Sequence, residues 1–174
     1  EFIISNLGSF AAGSRAMVFG ATGALGAAFV AALEQDPRIA RVYAVARRPP
    51  TQDPAQGPAA SGKLRWLTFD LQDEPSVAAA VAPAAADGPL DLVIVATGVL
   101  HDGARLQPEK TWRSLTPAAL HEAFAVNAIG PALIAKHALD SYKARKVYAR
   151  WRSQRPKQFD YNMVVIGAGS AGLV

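Results

Sequence analysis

The chain contains no cysteine. That excludes disulfides, thiolate metal sites and a cysteine nucleophile, and it accords with a reducing, cytoplasmic setting. Long hydrophobic runs are missing as well. The longest strongly apolar stretch, residues 90–100, falls far short of the ~20 residues a bilayer span requires, so no transmembrane segment is expected. Only 18% of the 174 residues are charged and 51% are hydrophobic, a balance that suits one ordinary globular domain with a real core. A basic leader is lacking too. Residues 1–14 hold a short apolar run with no basic residue ahead of it, which argues against a signal peptide. They are read as a tail or upstream remnant, and Met17 already lies inside the first expected strand.

The excess of positive charge is local. Residues 141–158 contain Lys143, Arg145, Lys146, Arg150, Arg152, Arg155 and Lys157 and no acid. Removing those seven from the 18 basic residues leaves 11 against 14 acidic ones. Everything outside the segment is therefore slightly acidic, and the basic isoelectric point says little about what the globular part binds. Tyr142, Tyr148 and Trp151 interleave with the charges, a pattern also met in segments that bind nucleic acid or a membrane surface. A solvated helix or linker over residues 141–160 is the more ordinary reading, and nucleic acid is not the expected partner.

Apolar runs alternate with helical patterns through residues 15–140. Residues 15–20 (RAMVFG) form a short apolar run closed by glycine, which suits a buried parallel strand. A helix is expected over 24–35, with Leu25, Ala28, Phe29, Ala32 and Leu33 at helical spacing and Asp36-Pro37 as its stop. Residues 41–46 make a second strand, and the Pro-, Gly- and Gln-rich stretch 49–62 a loop. A third strand (64–69) and an alanine-rich helix (74–86) follow, with Pro75 in the first turn, where no N–H is needed. The fourth strand, 90–97, is more apolar than the third and so expected to be central. Thr116-Pro117 is an N-cap and first-turn proline for a last helix carrying Leu120, Phe124, Asn127, Ile129, Leu133, Ile134 and His137. Pro131 should kink it. Strand–helix alternation with short turns predicts an α/β, doubly wound, Rossmann-like parallel sheet of order 3-2-1-4.

Between the first strand and the first helix lies Gly20-Ala21-Thr22-Gly23-Ala24-Leu25-Gly26. Gly20 allows a tight turn, Gly23 lets backbone approach a pyrophosphate, and Gly26 permits close helix packing. The free N–H groups at the helix start face the phosphates. Arg47-Arg48 closes the second strand, where an acid would repel a 2′-phosphate and a guanidinium pairs with it. This favours NADP over NAD. Asp91 reads as a solvated edge residue, while His101-Asp102 is a weaker candidate for substrate contact. His121 and His137 are sixteen residues apart, too far for joint metal ligation, and no metal site is expected.

Residues 15–135 resemble the short-chain dehydrogenase/reductase family, and its C-factor-like members in particular. GATGALG is similar to the family's glycine motif, with Ala24 replacing a common glycine. Phe69-Asp70-Leu71 resembles the end of the third strand, where the Asp meets the adenine amino group. Val95-Ala96-Thr97-Gly98 stands where the family has Asn-Asn-Ala-Gly. Asn127 occupies the place of the helix asparagine that orders the catalytic lysine through water. Residues 98–112 (GVLHDGARLQPEKTW) resemble the subgroup. The resemblance implies a cofactor site at Gly20, Thr22, Gly23, Leu25, Gly26, Arg47, Arg48, Asp70, Leu71, Ala96, Thr97 and Gly98, with Asn127 on the catalytic side. It also implies hydride exchange between NADPH and a small-molecule carbonyl or alcohol, and leaves room for a homo-oligomer.

The family's acid/base tyrosine, its lysine four residues on and its serine are not found in place. Tyr142 and Lys146 fit the Tyr-x-x-x-Lys pattern, but continuing helix leaves no room for the strand that should carry the serine. Residues 142–174 resemble instead the start of FAD-containing pyridine nucleotide-disulfide oxidoreductases of the mercuric-reductase-like type. Residues 161–166 would be their first strand and Gly167-Ala168-Gly169-Ser170-Ala171-Gly172 the GxGxxG that holds FAD in a complete relative. A fusion or deletion joint within 132–141 and a truncated second unit over 161–174 are expected. Residues 162–166 (NMVVI) are further expected to take the fifth-strand place, parallel to the fourth, bringing Ser170 near the position of a catalytic serine.

Overall fold

The computed structural model describes residues 10–50, 62–101 and 111–140. Four strands, β1 (Ser14–Phe19), β2 (Ile39–Ala46), β3 (Leu64–Thr68) and β4 (Leu92–Val95), form one sheet of order β3-β2-β1-β4. Every pairing is parallel, with Met17 opposite Tyr43 on one side and Val93 on the other. The doubly wound order read from the sequence is therefore the order of the fold. The expected fifth strand, the Tyr142–Lys146 pattern, the basic linker, the joint beyond 140 and the second glycine fingerprint lie outside the described residues.

Strand side chains alternate between two cores. Met17, Phe19, Tyr43, Val45, Val93 and Val95 face helices α2 (Glu74–Ala86) and α4 (Gly130–Asp140), which contribute Val77, Ala80, Val81, Ala84, Ile134 and Ala138. Ala16, Val18, Val42, Ala44, Leu92 and Ile94 face the other way, against Val30 and Leu33 of α1 (Ala24–Gln35). All four β4 side chains are buried, whereas β3 is half exposed along its length. The difference follows from the apolar run LVIV against the mixed LRWLT.

Helix α1 turns a different face inward than its apolar spacing indicated. Gly26, Val30 and Leu33 are buried, while Leu25 is 57% exposed. The helix is apolar almost all round, so its roll is set by Gly26, the position that can lie against the glycine turn, and not by a hydrophobic stripe.

The last helical run has three parts: α3 (Pro117–Phe124), a widened π turn (Ala125–Ile129) and α4. Thr116 caps α3 by accepting from Ala119 N at 3.2 Å. Pro131 has no N–H to give the carbonyl of Asn127, and its ring crowds that carbonyl. The chain answers by widening just before it, with Gly130 N–H bonded to Ala125 O. Residues 117–139 are long and apolar enough, by length and composition, to cross a membrane. In the fold one face of this run, with Gly130, Ile134 and Ala138 buried, packs toward the sheet. Leu120, Phe124 and Ile129 lie exposed.

Candidate dinucleotide site

In a 3-2-1-4 sheet the strand order reverses between β1 and β4, and the crevice opens at the carboxyl ends of those strands. The glycine turn stands there. Gly20 takes φ +78°, a left-handed conformation that a side chain rarely adopts. A Cβ on Gly20 would also lie 2.8 Å from Ala96 O and 3.0 Å from Thr97 N. Its N–H bonds Val45 O at 2.9 Å, and Ala21 N shares that acceptor at 3.1 Å. Ala96 N in turn donates to Phe19 O at 2.9 Å, so the ends of β1, β2 and β4 are tied together around the turn.

Gly23 is the N-cap of α1 and supplies no side-chain cap, and the first turn carries no acid. The helix start therefore keeps its unpaired N–H groups and positive dipole end without an internal anion to answer them. A Cβ on Gly26 would run into Gly20 O and stand 2.9 Å from Ala21 Cα. Backbone thus meets backbone where side chains would otherwise fill the cradle. Thr22, Gly23, Ala24 and Leu25 are exposed along its rim.

Other expected site residues fall along the same sheet edge. Arg47 and Arg48 are both exposed in the bend after β2. Asp70 is exposed after β3, with its Oδ1 accepting from Gln72 N at 3.0 Å and its own N–H donating to Ser76 Oγ at 2.8 Å. Leu71, by contrast, is buried in the α2/α4 core, and its side chain fills the space beside Gly130. Only its backbone is left for a ligand. Gly98 is exposed and Ala96 and Thr97 are half-buried at the end of β4.

Asn127 holds the loop after β4. Its Oδ1 accepts from Val99 N at 2.8 Å and its Nδ2 donates to Val99 O at 2.8 Å. This two-bond clamp uses the side chain on the backbone and fixes where segment 96–99 lies. Val99 does not stand out in the sequence, whereas Gly130-Pro131 is the local signal that the helix deviates near Asn127. The remaining candidates separate from the crevice. Asp91 sits at the opposite end of β4, where its Oδ2 accepts from Arg15 N at 2.9 Å. His137 meets Glu74 Oε1 at 3.0 Å between α4 and α2, while His101 and His121 are exposed. Asp102 lies outside the described residues. Among the described residues no group of His, Asp and Glu is arranged to hold a metal.

Two glycines packed backbone to backbone, an uncapped helix start and a switch point between β1 and β4 are features of the doubly wound α/β class. The family profile described as short chain dehydrogenase matches residues 14–147, and the chain belongs to that family. An NADPH-bound carbonyl reductase from chicken superposes with a TM-score of 0.63 at 23% identity, covering 77% of this chain and 49% of its own. A short-chain dehydrogenase/reductase from Saccharomyces cerevisiae gives 0.62 at 20% identity, with 75% and 49% covered. One from Serratia marcescens gives 0.57 at 24%, with 75% and 53% covered. The chain thus spans about half the length of these solved structures. No curated protein sequence matches it.

Proposed function

We propose that the chain is the NADP-binding part of a short-chain-dehydrogenase-type oxidoreductase, with the dinucleotide seated at the β1–β4 crevice. The observation that carries this is the Gly20–Gly26 cradle, where a side chain at either glycine would strike backbone. Such space is useful when a pyrophosphate must approach main-chain N–H groups. Arg47 and Arg48, exposed at the end of β2, supply guanidinium donors for a 2′-phosphate and favour NADP over NAD. The nicotinamide, when bound, supplies or takes the hydride, and the substrate class is a small carbonyl or alcohol. The likeness of residues 98–112 to C-factor-like members supports that subgroup.

A second reading, a dinucleotide-binding module without turnover, is favoured by one observation. Helix α4 continues to Asp140, so the described residues after Asn127 include no strand to carry a serine. A fusion with the start of a flavin-dependent disulfide oxidoreductase is the third; residues 167–172 support it and would serve FAD only in the complete form of that second unit.

Cofactor choice tests the leading reading. Calorimetric titration should show NADPH binding at least ~10-fold tighter than NADH, about 1.4 kcal/mol. Arg47→Asp should erase most of that gap. Equal affinities in the unmutated chain would overturn the assignment to NADP.

A further inference from the structure

The end of the sheet away from the glycine turn carries three arginines on one face. Arg15 of β1 stands directly opposite Arg41 of β2, and Arg65 of β3 directly opposite Tyr43, two residues further along β2. Side chains alternate along a strand, so Arg15 shares the face of Met17, and Arg41 and Arg65 that of Tyr43. That face is the one α2 covers. The three arginines therefore start within two strand spacings of one another, roughly 10 Å. Like charges set directly across a strand pair oppose each other, yet the fold keeps such a pair at Arg15 and Arg41.

Little negative charge answers them. Asp87, at the end of α2, is the carboxylate that all three face. Its Oδ2 accepts from the Tyr43 hydroxyl and stands 3.9 Å from Arg65 Nη1. Asp91 lies at the same end of the sheet, where its Oδ2 accepts from the Arg15 backbone N–H at 2.9 Å. Even with both acids counted, three positive charges meet two negative ones. The anchoring bonds use few donors. Arg15 Nη1 donates to Asp87 O, and Arg41 Nη1 to Gly62 O at 2.6 Å, while each guanidinium carries five N–H groups. A side chain at Gly88 would strike the Arg15 guanidinium, so the bare turn after α2 is what admits that group. Two guanidiniums are thus half-buried and held by backbone carbonyls, with Arg65 exposed beside them.

We propose that Arg15, Arg41 and Arg65 form a binding site for a phosphate-type dianion, separate from the crevice at the other end of the strands. A phosphate group offers acceptor oxygens to several guanidinium forks at once, and its charge relieves the repulsion between Arg15 and Arg41. A monocarboxylate, with one charge and two oxygens, cannot serve three forks. The fitting ligand is a small phosphorylated molecule. The site depends on the register of β1, β2 and β3 and on the end of α2, so it stands or falls independently of the cofactor reading.

The test follows the backbone amide resonances of residues 15, 41, 65, 87 and 88 in the full chain as inorganic phosphate replaces chloride at constant ionic strength and slightly alkaline pH. These resonances should shift saturably, and acetate should bind at least ~10-fold more weakly. Arg65→Gln and Arg41→Gln should each weaken phosphate about 10-fold, the scale of one charge-assisted hydrogen bond. Arg65→Lys, which keeps the charge and loses the fork, should fall between Arg65→Gln and the unmutated chain. The phosphate-free spectrum shows whether each variant is folded, and either glutamine variant decides the matter if the other is not. Phosphate that moves only residues 20–26 or 141–158 overturns the proposal, as do glutamine variants that bind it as tightly as the unmutated chain. An equal response to acetate overturns it too, since general screening would then account for the shifts.

Discussion

Tyr43 shows how one buried polar group ties this sheet to its surroundings. Its ring is fully buried in the middle of β2, and its hydroxyl donates to Asp87 Oδ2 at the end of α2. Arg65 approaches the same carboxylate at 3.9 Å. Burial, and then the bond to Asp87, push the phenol from its usual 10.0 up to about 12. A raised value favours the neutral form in the fold. The stabilisation is therefore complete below the unfolded value and is lost as pH rises through about 12. The unfolding midpoint should drop between pH ~10 and ~12, and Tyr43→Phe should flatten that drop while lowering the midpoint near neutrality. Thermal melts across this range decide the matter; an identical alkaline slope in both proteins would show that Tyr43 is not its source. Carboxylates behave in the opposite sense. Asp36, held low by its bonds to Arg38, and Glu74, held low by Lys136 and then His137, stabilise the fold above the ordinary carboxylate range. Their contribution fades as acid carries the pH down through their depressed values.

The segment from Pro117 to Asp140 fixes the loop that follows β4. The Asn127 clamp joins the π turn to the loop after β4 with two bonds across 28 residues. Asn127→Ala would leave Val99 N–H and C=O without those partners, and should cost about 1–3 kcal/mol in urea unfolding. An unchanged midpoint would mean that the loop finds equivalent partners. Gly130 makes a second contact of this kind, since a Cβ there would stand 2.6 and 2.7 Å from the two Leu71 methyl carbons. Gly130→Ala should destabilise by about 1–3 kcal/mol through overpacking, and Leu71→Ala should relieve part of that cost in the double variant. Additive losses in that cycle would show that the two residues do not share the space.

These elements also mark what the sequence could reveal. Helices over 24–35 and 74–86 carry their own punctuation, Asp36-Pro37 at one end and Pro75 at the other, and both occupy those bounds in the fold. The strand order follows from alternation with short crossovers, and the glycine turn is local, so both were legible. The face of α1 was not, because a helix of alanine, leucine, valine and phenylalanine has no phase until Gly26 meets the turn. The inward placing of Leu71 beside Gly130 and the pairing of Asn127 with Val99 depend on partners far along the chain. Local pattern does not contain them.

For the molecule as a whole, the described sheet has β4 paired with β1 alone, while Phe124 (60%) and Ile129 (56%) leave apolar surface on the adjoining helical run. The chemistry of the family needs an acid/base group over the nicotinamide. Among the described residues, no strand follows Asn127, since helix α4 runs to Asp140. The full chain is therefore expected to reduce no carbonyl substrate with NADPH above background in a spectrophotometric assay, and turnover abolished by Tyr142→Phe would contradict that expectation. Binding and turnover are thus separable here. Dinucleotide binding is tested by hydrogen exchange of the full chain with and without saturating NADPH, followed by mass spectrometry. Exchange should slow at residues 20–26, 47–48 and 96–99, around the switch-point crevice. Saturable binding with protection elsewhere, or no protection at these three segments, would contradict it.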